Sequence, residues 1–342
     1  MLDKIKMFIF DLLCEPYNIQ NKKKLKTKKQ KIILIGTPEH GNIGDLAIAY
    51  AEILFLKKYF PNKEVIDIPD AKVKWALKKL KKFLKGTDII ILHGGGNMGK
   101  EYATLEDDRR KIIKCFEQYR KIIFPQTFFY KNDENDYLEE SKLIYNKSCN
   151  LTICGREQYS YDELKFCYPN ANIKLIPDIV LSLDGIDLKK ERKGVLLCLR
   201  HDNESILTEE DHGSILSIVK KYYDNVSYTD MGYGHSVQPN RRKKVIFSKF
   251  EEFSKAELVI TDRIHGMVFC AITGTPCIAL SNYNYKVKGS YKWIKHLEYI
   301  KYTESILEIE SLIKLLLNRH ECKYDNSNLK EYYGKLKECI VN

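Results

Sequence analysis

Short apolar runs that end in polar or glycine-rich turns recur along this chain, and segments with helical spacing lie between them. Lys31–Gly36, Glu64–Ile68, Asp88–Leu92, Lys121–Phe124, Asn150–Cys154 and Ile173–Ile176 read as buried strands. Leu46–Phe60, Lys72–Lys85, Lys111–Arg120, Asp136–Lys147 and Tyr159–Phe166 read as the helices between them. After a polar stretch, Leu181–Gly194, the alternation resumes. It gives strands at Val195–Leu199, Asn225–Thr229, Leu258–Ile260 and Cys277–Leu280, with helices at Ile215–Tyr222, after Thr261-Asp262 and at Ile306–Leu317. Strands that are apolar throughout and alternate with helices predict an α/β fold of mostly parallel sheets covered on both faces. The polar stretch predicts a linker between two doubly wound domains. The expected organisation is a lead segment 1–30, an amino-terminal domain 31–185, a carboxyl-terminal domain 186–305 and closing helices 306–342.

Composition narrows the class. The 342 residues are 44% hydrophobic and 30% charged, enough for two globular cores and too apolar for extended disorder. The ten cysteines show no CxxC pairing and fall mostly in apolar runs, as in a reducing compartment. No apolar segment approaches a membrane span, and the start carries no cleavage signal, so a cytoplasmic protein is expected.

The net charge of +11 is concentrated. Met1 to Lys31 holds nine lysines against three acids, and Lys72–Lys85 holds seven lysines and no acid. Arginine is scarce in both blocks and no nucleic-acid recognition motif accompanies them, so nucleic acid is not an expected partner. Ile5, Phe8, Ile9, Leu12 and Leu13 share one side of a helix, which points to peripheral attachment to an anionic leaflet through the lead segment. For Lys72–Lys85 a solvated helix face is a sufficient account.

The candidate chemistry lies in the loops at strand ends. Thr261–Gly266 (TDRIHG) would set Arg263 and His265 at the carboxyl edge of a sheet, offering a planar anion-binding fork and a proton-trading group. Arg200 and Lys286 stand in two more carboxyl-half loops, a cationic set suited to a small, multiply charged anion. In the amino half, Gly41-Asn42-Ile43-Gly44-Asp45 opens a helix without a dinucleotide fingerprint or a P-loop lysine. Asn42, Asp45 and His40 could reach a ligand there, although capping of the helix explains Gly41, Gly44 and Asp45 equally well. The triple glycine Gly94-Gly95-Gly96, with Asn97, permits backbone amides to face a ligand. Arg156 stands at another strand end, either facing substrate or holding a structural salt bridge. There is no HExxH, GxSxG, Cys/His metal spacing or paired DxD, so no metal is expected. The loop MGYGHSVQPN is where a closing element would be sought.

GTPEHGNIGDLAI, ILHGGGNMG, TICGREQYSYDEL, VLLCLR, TDRIHGMVFCAITGTPCIAL and YNYKVKG, in that order from Ile32 to Gly289, resemble the polysaccharide pyruvyl transferases. The resemblance implies a GT-B-like arrangement of two Rossmann-like domains facing a cleft, and the charge of the loops puts the acceptor on the amino-terminal side and the donor on the carboxyl-terminal side. It implies transfer of pyruvyl from phosphoenolpyruvate, a co-substrate rather than a cofactor, onto sugar hydroxyls of a cell-surface glycan precursor such as an exopolysaccharide or capsule. By this resemblance Arg263, with Ile264, and Arg200 hold the donor, Lys286 belongs to the downstream lysine motif, and His265 is the acid/base. Loop position alone, not the resemblance, suggests Asp45 or His40 as the base for the acceptor hydroxyl. Asn42, Gly41, Gly44, Gly94, Gly95, Gly96, Asn97 and Arg156 would line the acceptor side.

The implied acceptor is a glycan, in the lipid-linked form if the protein works at the inner face of the plasma membrane. Two rivals share parts of this pattern. A GT-B glycosyltransferase using sugar nucleotides would carry an acidic residue for the ribose, and Thr275 to Gly289 has none. A membrane-surface scaffold would not need convergent Arg, His and Lys loops.

Overall fold

A computed structural model describes residues 23–341 except 132, 187, 189, 190, 202–204, 318, 320 and 321. The expected membrane-binding helix within the first 22 residues lies outside the described residues. The amino half runs β1 (Lys31–Thr37), α1 (Ile43–Tyr59), β2 (Glu64–Pro69), α2 (Val73–Lys79), β3 (Ile89–Leu92), β4 (Gly95–Met98), α3 (Ala103–Cys115), β5 (Arg120–Phe128), α4 (Asn135–Lys147), β6 (Leu151–Gly155), α5 (Gln158–Cys167) and β7 (Asn172–Leu175). Its strands pair in parallel in the order β2-β1-β3-β5-β6-β7, with β4 paired to β5. Successive residues of β1 enter different cores, Ile32 and Leu34 on one face, Ile33 and Ile35 on the other. That is why the strand is apolar at every position.

The carboxyl half runs β8 (Val195–Cys198), α6 (Glu209–Lys220), β9 (Val226–Tyr228), α7 (Arg242–Ser254), β10 (Leu258–Thr261), α8 (Ile264–Thr273), β11 (Cys277–Leu280), α9 (Lys286–Ile294), β12 (Ile300–Thr303), α10 (Ile309–Leu316) and α11 (Lys330–Val341). Its sheet is also parallel, ordered β12-β11-β10-β8-β9. The two halves share one apolar core in which α1 residues pack with α7 and α8, and Tyr50 meets Phe247 edge-on at 6.0 Å. Among the described residues, no helix is long and apolar enough to cross a membrane.

Several elements depart from the sequence pattern. β5 continues through Pro125, which lacks an amide hydrogen, and the register of β5 against β6 shifts between Ile123 and Gln126 to accommodate it. Helix α3 starts at Ala103 rather than Lys111. Its first turns bury Glu106, Arg109 and Arg110, and Tyr145 donates to Glu106 at 2.7 Å. Arg242–Ser254 is a full helix that the apolar spacing does not mark out. The last helix is α11, beyond Ile306–Leu317, and its Tyr333 hydroxyl donates to the Asp178 carbonyl at 2.7 Å.

Candidate active site

The β10–α8 junction is tied to its neighbour before it presents any chemistry. The Thr261 hydroxyl donates to the Cys198 carbonyl at 2.7 Å and accepts the Arg263 amide at 3.0 Å. Asp262 is fully buried and accepts the Arg200 amide at 2.9 Å, so the ends of β8 and β10, with their two arginines, are held side by side. Burial pushes the Asp262 carboxyl up to about 6 against the opposing Arg200 amide and the Arg263 and Arg200 charges. Arg263 Nη2 reaches Asp230 at 2.6 Å.

His265 occupies the first turn of α8 and is only 7% exposed. Its Nε2 lies 3.4 Å from Asp178 Oδ2, an ion-pair distance rather than an aligned hydrogen bond. Asp178 follows β7 and comes from the amino half, so the pair joins the two halves. The same oxygen receives Arg156 Nη1 at 2.9 Å. Burial alone would raise Asp178, but the His265 imidazole, the Arg156 guanidinium and the Val180 amide together hold it well below the usual carboxylate range. The other side of the ring lies against Gly44, where a Cβ would come within 2.2 Å of Nδ1. Asp178 and the bare backbone of Gly44 thus bracket the imidazole.

The amino-half loops are more structural than their composition suggests. Asn42 caps α1 by accepting the amides of Gly44 at 3.0 Å and Asp45 at 3.4 Å. Backbone bonds of 2.7–2.8 Å join Ile43 to Met231, Tyr233 to Gly41 and Val237 to Glu39. These pin the GYGH loop to the Gly-Asn-x-Gly-Asp loop, and Gly41 faces the His235 carbonyl. The Gly94 amide donates to buried Glu52 at 2.8 Å, and Glu52 also holds His93 Nδ1 at 2.7 Å. Gly95 opens β4 with φ of 129°. Asp45 stands 3.7 Å from His40 Nε2.

Arg156 is 1% exposed, with Nε donating to Thr127 at 2.7 Å. Beside it, burial pushes Glu157 up to about 7, opposed by Arg156 and by hydrogen bonds from Ser160 and Thr127. Lys286, in the first turn of α9, is 6% exposed.

These groups meet in a cavity of about 440 Å³ between the halves. Its lining includes His265, Arg263, Ile264, Arg200, Lys286, Arg156, Asp45, His40, Asn42, Gly96 and Asn97. Gly41, Gly44, Gly94 and Gly95 lie outside the lining and act through the contacts just described. The sequence did not single out Tyr102, Leu105, Met231 or Asn282, which also line the cavity, nor Asp178 behind it. A carboxylate three residues past the end of β7 was the available signal for Asp178, and its partner lies in the other half of the chain. Among the described residues, no cluster of His, Cys, Asp or Glu could hold a metal ion.

Comparison with known proteins agrees with the motifs. The family model described as "Polysaccharide pyruvyl transferase" matches residues 42–285. General stress protein 30 of Bacillus subtilis is 37% identical over 303 residues, covering 86% of this chain and 87% of that protein. Pyruvyl transferase 1 of Schizosaccharomyces pombe is 26% identical over 324 residues, covering 86% and 77%. The UDP-GlcNAc 2-epimerase of Neisseria meningitidis bound to UDP-GlcNAc superposes with a TM-score of 0.53 at 12% identity, covering 91% of this chain and 100% of that one, a likeness of fold alone. The architecture is GT-B-like, two Rossmann-like domains about a cleft, and the chain belongs to the polysaccharide pyruvyl transferase family.

Proposed function

We propose that the protein transfers the pyruvyl group of phosphoenolpyruvate to two hydroxyls of a sugar in a polysaccharide precursor, releasing phosphate and closing a pyruvate ketal. The observation that carries this reading is the bracketed His265 in a cleft lined by Arg200, Arg263, Lys286 and Arg156. Phosphoenolpyruvate needs one proton on its terminal methylene carbon, which leaves positive charge at the carbon bearing phosphate. The His265 imidazolium, its charge balanced by Asp178, is the donor of that proton. A sugar hydroxyl adds to the cationic carbon and loses its proton. The carbon–oxygen bond to phosphate then breaks, and the second hydroxyl adds in its place and surrenders its proton to close the ketal. Fixed cations hold carboxylate and phosphate throughout and stabilise the leaving group. Asp45, half-buried at the cavity wall beside His40, serves as the base for the hydroxyl.

The test is acceptor-dependent phosphate release from phosphoenolpyruvate. His265→Ala is expected to fold normally and lose turnover by about 10²–10⁴-fold. Release at the wild-type rate in that variant refutes the assignment, and stabilisation by a nucleoside diphosphate with none by phosphoenolpyruvate favours a sugar-nucleotide enzyme.

A further inference from the structure

The buried polar residues of α3 form a cluster with one arm in the cleft. Glu106 is fully buried, accepts the Tyr145 hydroxyl at 2.7 Å and the Ser141 hydroxyl at 3.3 Å, and pairs with Arg109 Nη1. Arg109 is itself only 5% exposed, and its Nη2 leaves the cluster to donate to Asn97 Oδ1 at 2.5 Å. Asn97 lies in β4 and lines the cavity.

A guanidinium carries donors and no acceptor, so the end of the Asn97 amide that meets Arg109 has to be its oxygen. Nδ2, a donor only, is then the end turned the other way. It lies 3.6 Å from the position that a Cβ would take on Gly95. Asp45 Oδ1 is 3.8 Å from the same point and Ile48 Cδ1 is 3.7 Å from it. The space over Gly95 is therefore bounded by a hydrogen-bond donor, a carboxylate acceptor and an apolar wall. A sugar hydroxyl gives one hydrogen bond, accepts another and is carried on a C–H carbon, so it meets all three. A phosphate or carboxylate group would face Asp45 as a like charge.

We infer that Arg109 is a positioning residue: by holding Asn97 Oδ1 it fixes Nδ2 as the donor to an acceptor-sugar hydroxyl whose proton passes to Asp45. The inference rests on the transfer reading proposed above. It adds to that reading the polarity in which Asn97 works and a task in the cleft for the polar interior of α3.

The experiment measures phosphate release from phosphoenolpyruvate with p-nitrophenyl β-hexopyranosides as acceptors, for wild type, Asn97→Asp and Arg109→Lys. Thermal melting of each variant checks that it is folded. Asn97→Asp keeps an oxygen for Arg109 and removes only the donor, so a purely structural Asn97 would leave the kinetics unchanged. The expected result is an acceptor KM raised about tenfold at saturating phosphoenolpyruvate. Arg109→Lys cannot span Glu106 and Asn97 with one planar fork, and should raise the same KM about threefold. The KM of phosphoenolpyruvate should move less than that of the acceptor in both. A wild-type acceptor KM in folded Asn97→Asp overturns the donor role, and one in folded Arg109→Lys overturns the positioning role. A KM for phosphoenolpyruvate that rises as far as the acceptor's puts Asn97 on the donor and overturns both. A wild-type protein that releases no phosphate with any of these acceptors fails at the earlier step and removes the transfer reading itself.

Discussion

The loop Gly41–Asp45 and the junction Thr261–His265 occupy equivalent places, each at the carboxyl end of a parallel strand and the start of a helix. They use that place differently. In the junction, Thr261 and Asp262 fasten the backbone, and Arg263 and His265 project into the cleft. In the loop, Asn42 caps a helix, Gly41 and Ile43 bond to the opposite domain, and Gly44 contributes an absence of side chain. On the proposed mechanism the junction supplies the proton donor and an anion-binding arginine, whereas the loop, Asp45 apart, shapes the room in which they work. A glycine-rich strand–helix turn, read locally, does not distinguish these two roles.

The largest effect is expected from Gly44→Ala. The new methyl would require His265 to leave its place beside Asp178, and misplacement of a reacting group by about 1 Å costs on the order of 10² in turnover. Steady-state kinetics should show that fall in kcat in a protein that still folds. A kcat within threefold of wild type would mean that the two loops work independently.

The next effect concerns the buried carboxyls, one beside an arginine in each half. Glu157 is raised to about 7 and Asp262 to about 6, chiefly by burial. Each binds its proton more tightly when folded than when unfolded, so this stability is complete below about pH 4 and is lost as pH rises through 6 and 7. Denaturation midpoints should fall between pH 5 and pH 8, and Glu157→Gln should remove the larger share of that slope, about 2 kcal/mol. Asp178 has the opposite sign, since its carboxyl is depressed, and its contribution is lost only in strong acid.

The smallest expected effect separates capping from ligand binding at Asn42. Asn42→Ala should cost about 1 kcal/mol in urea unfolding, and Asn42→Ser, which keeps a capping oxygen, should recover most of it. A full loss in the serine variant would point to a role beyond the cap.

The strands were legible because burial on both faces leaves runs such as Ile32 to Ile35 apolar at every position. Helix α3 was half hidden because Glu106, Arg109 and Arg110 are buried in mutual contact, and apolar periodicity is blind to a polar interior. Pro125 concealed the length of β5 for a similar reason, since the sequence shows the missing donor and not the bulge that tolerates it. At the site, the motifs point to Arg200, Arg263, His265 and Lys286, and these four line one cavity. They could not reveal the Asp178–His265 pair, because that contact exists only once two separately wound sheets face each other.

The backbone ladder that joins Glu39, Gly41 and Ile43 to Val237, Tyr233 and Met231 is made by main-chain groups and takes no account of side chains except at Gly41, where a Cβ would come within 2.7 Å of the His235 carbonyl. Its constraint is on spacing. A chimera built from the amino half of one relative and the carboxyl half of another would keep its alignment across the cleft through substitutions in these loops that leave Gly41 and Gly44 in place. A single inserted residue in either loop would shift every rung. Loop length, more than loop sequence, is therefore the quantity that recombination between relatives has to conserve here.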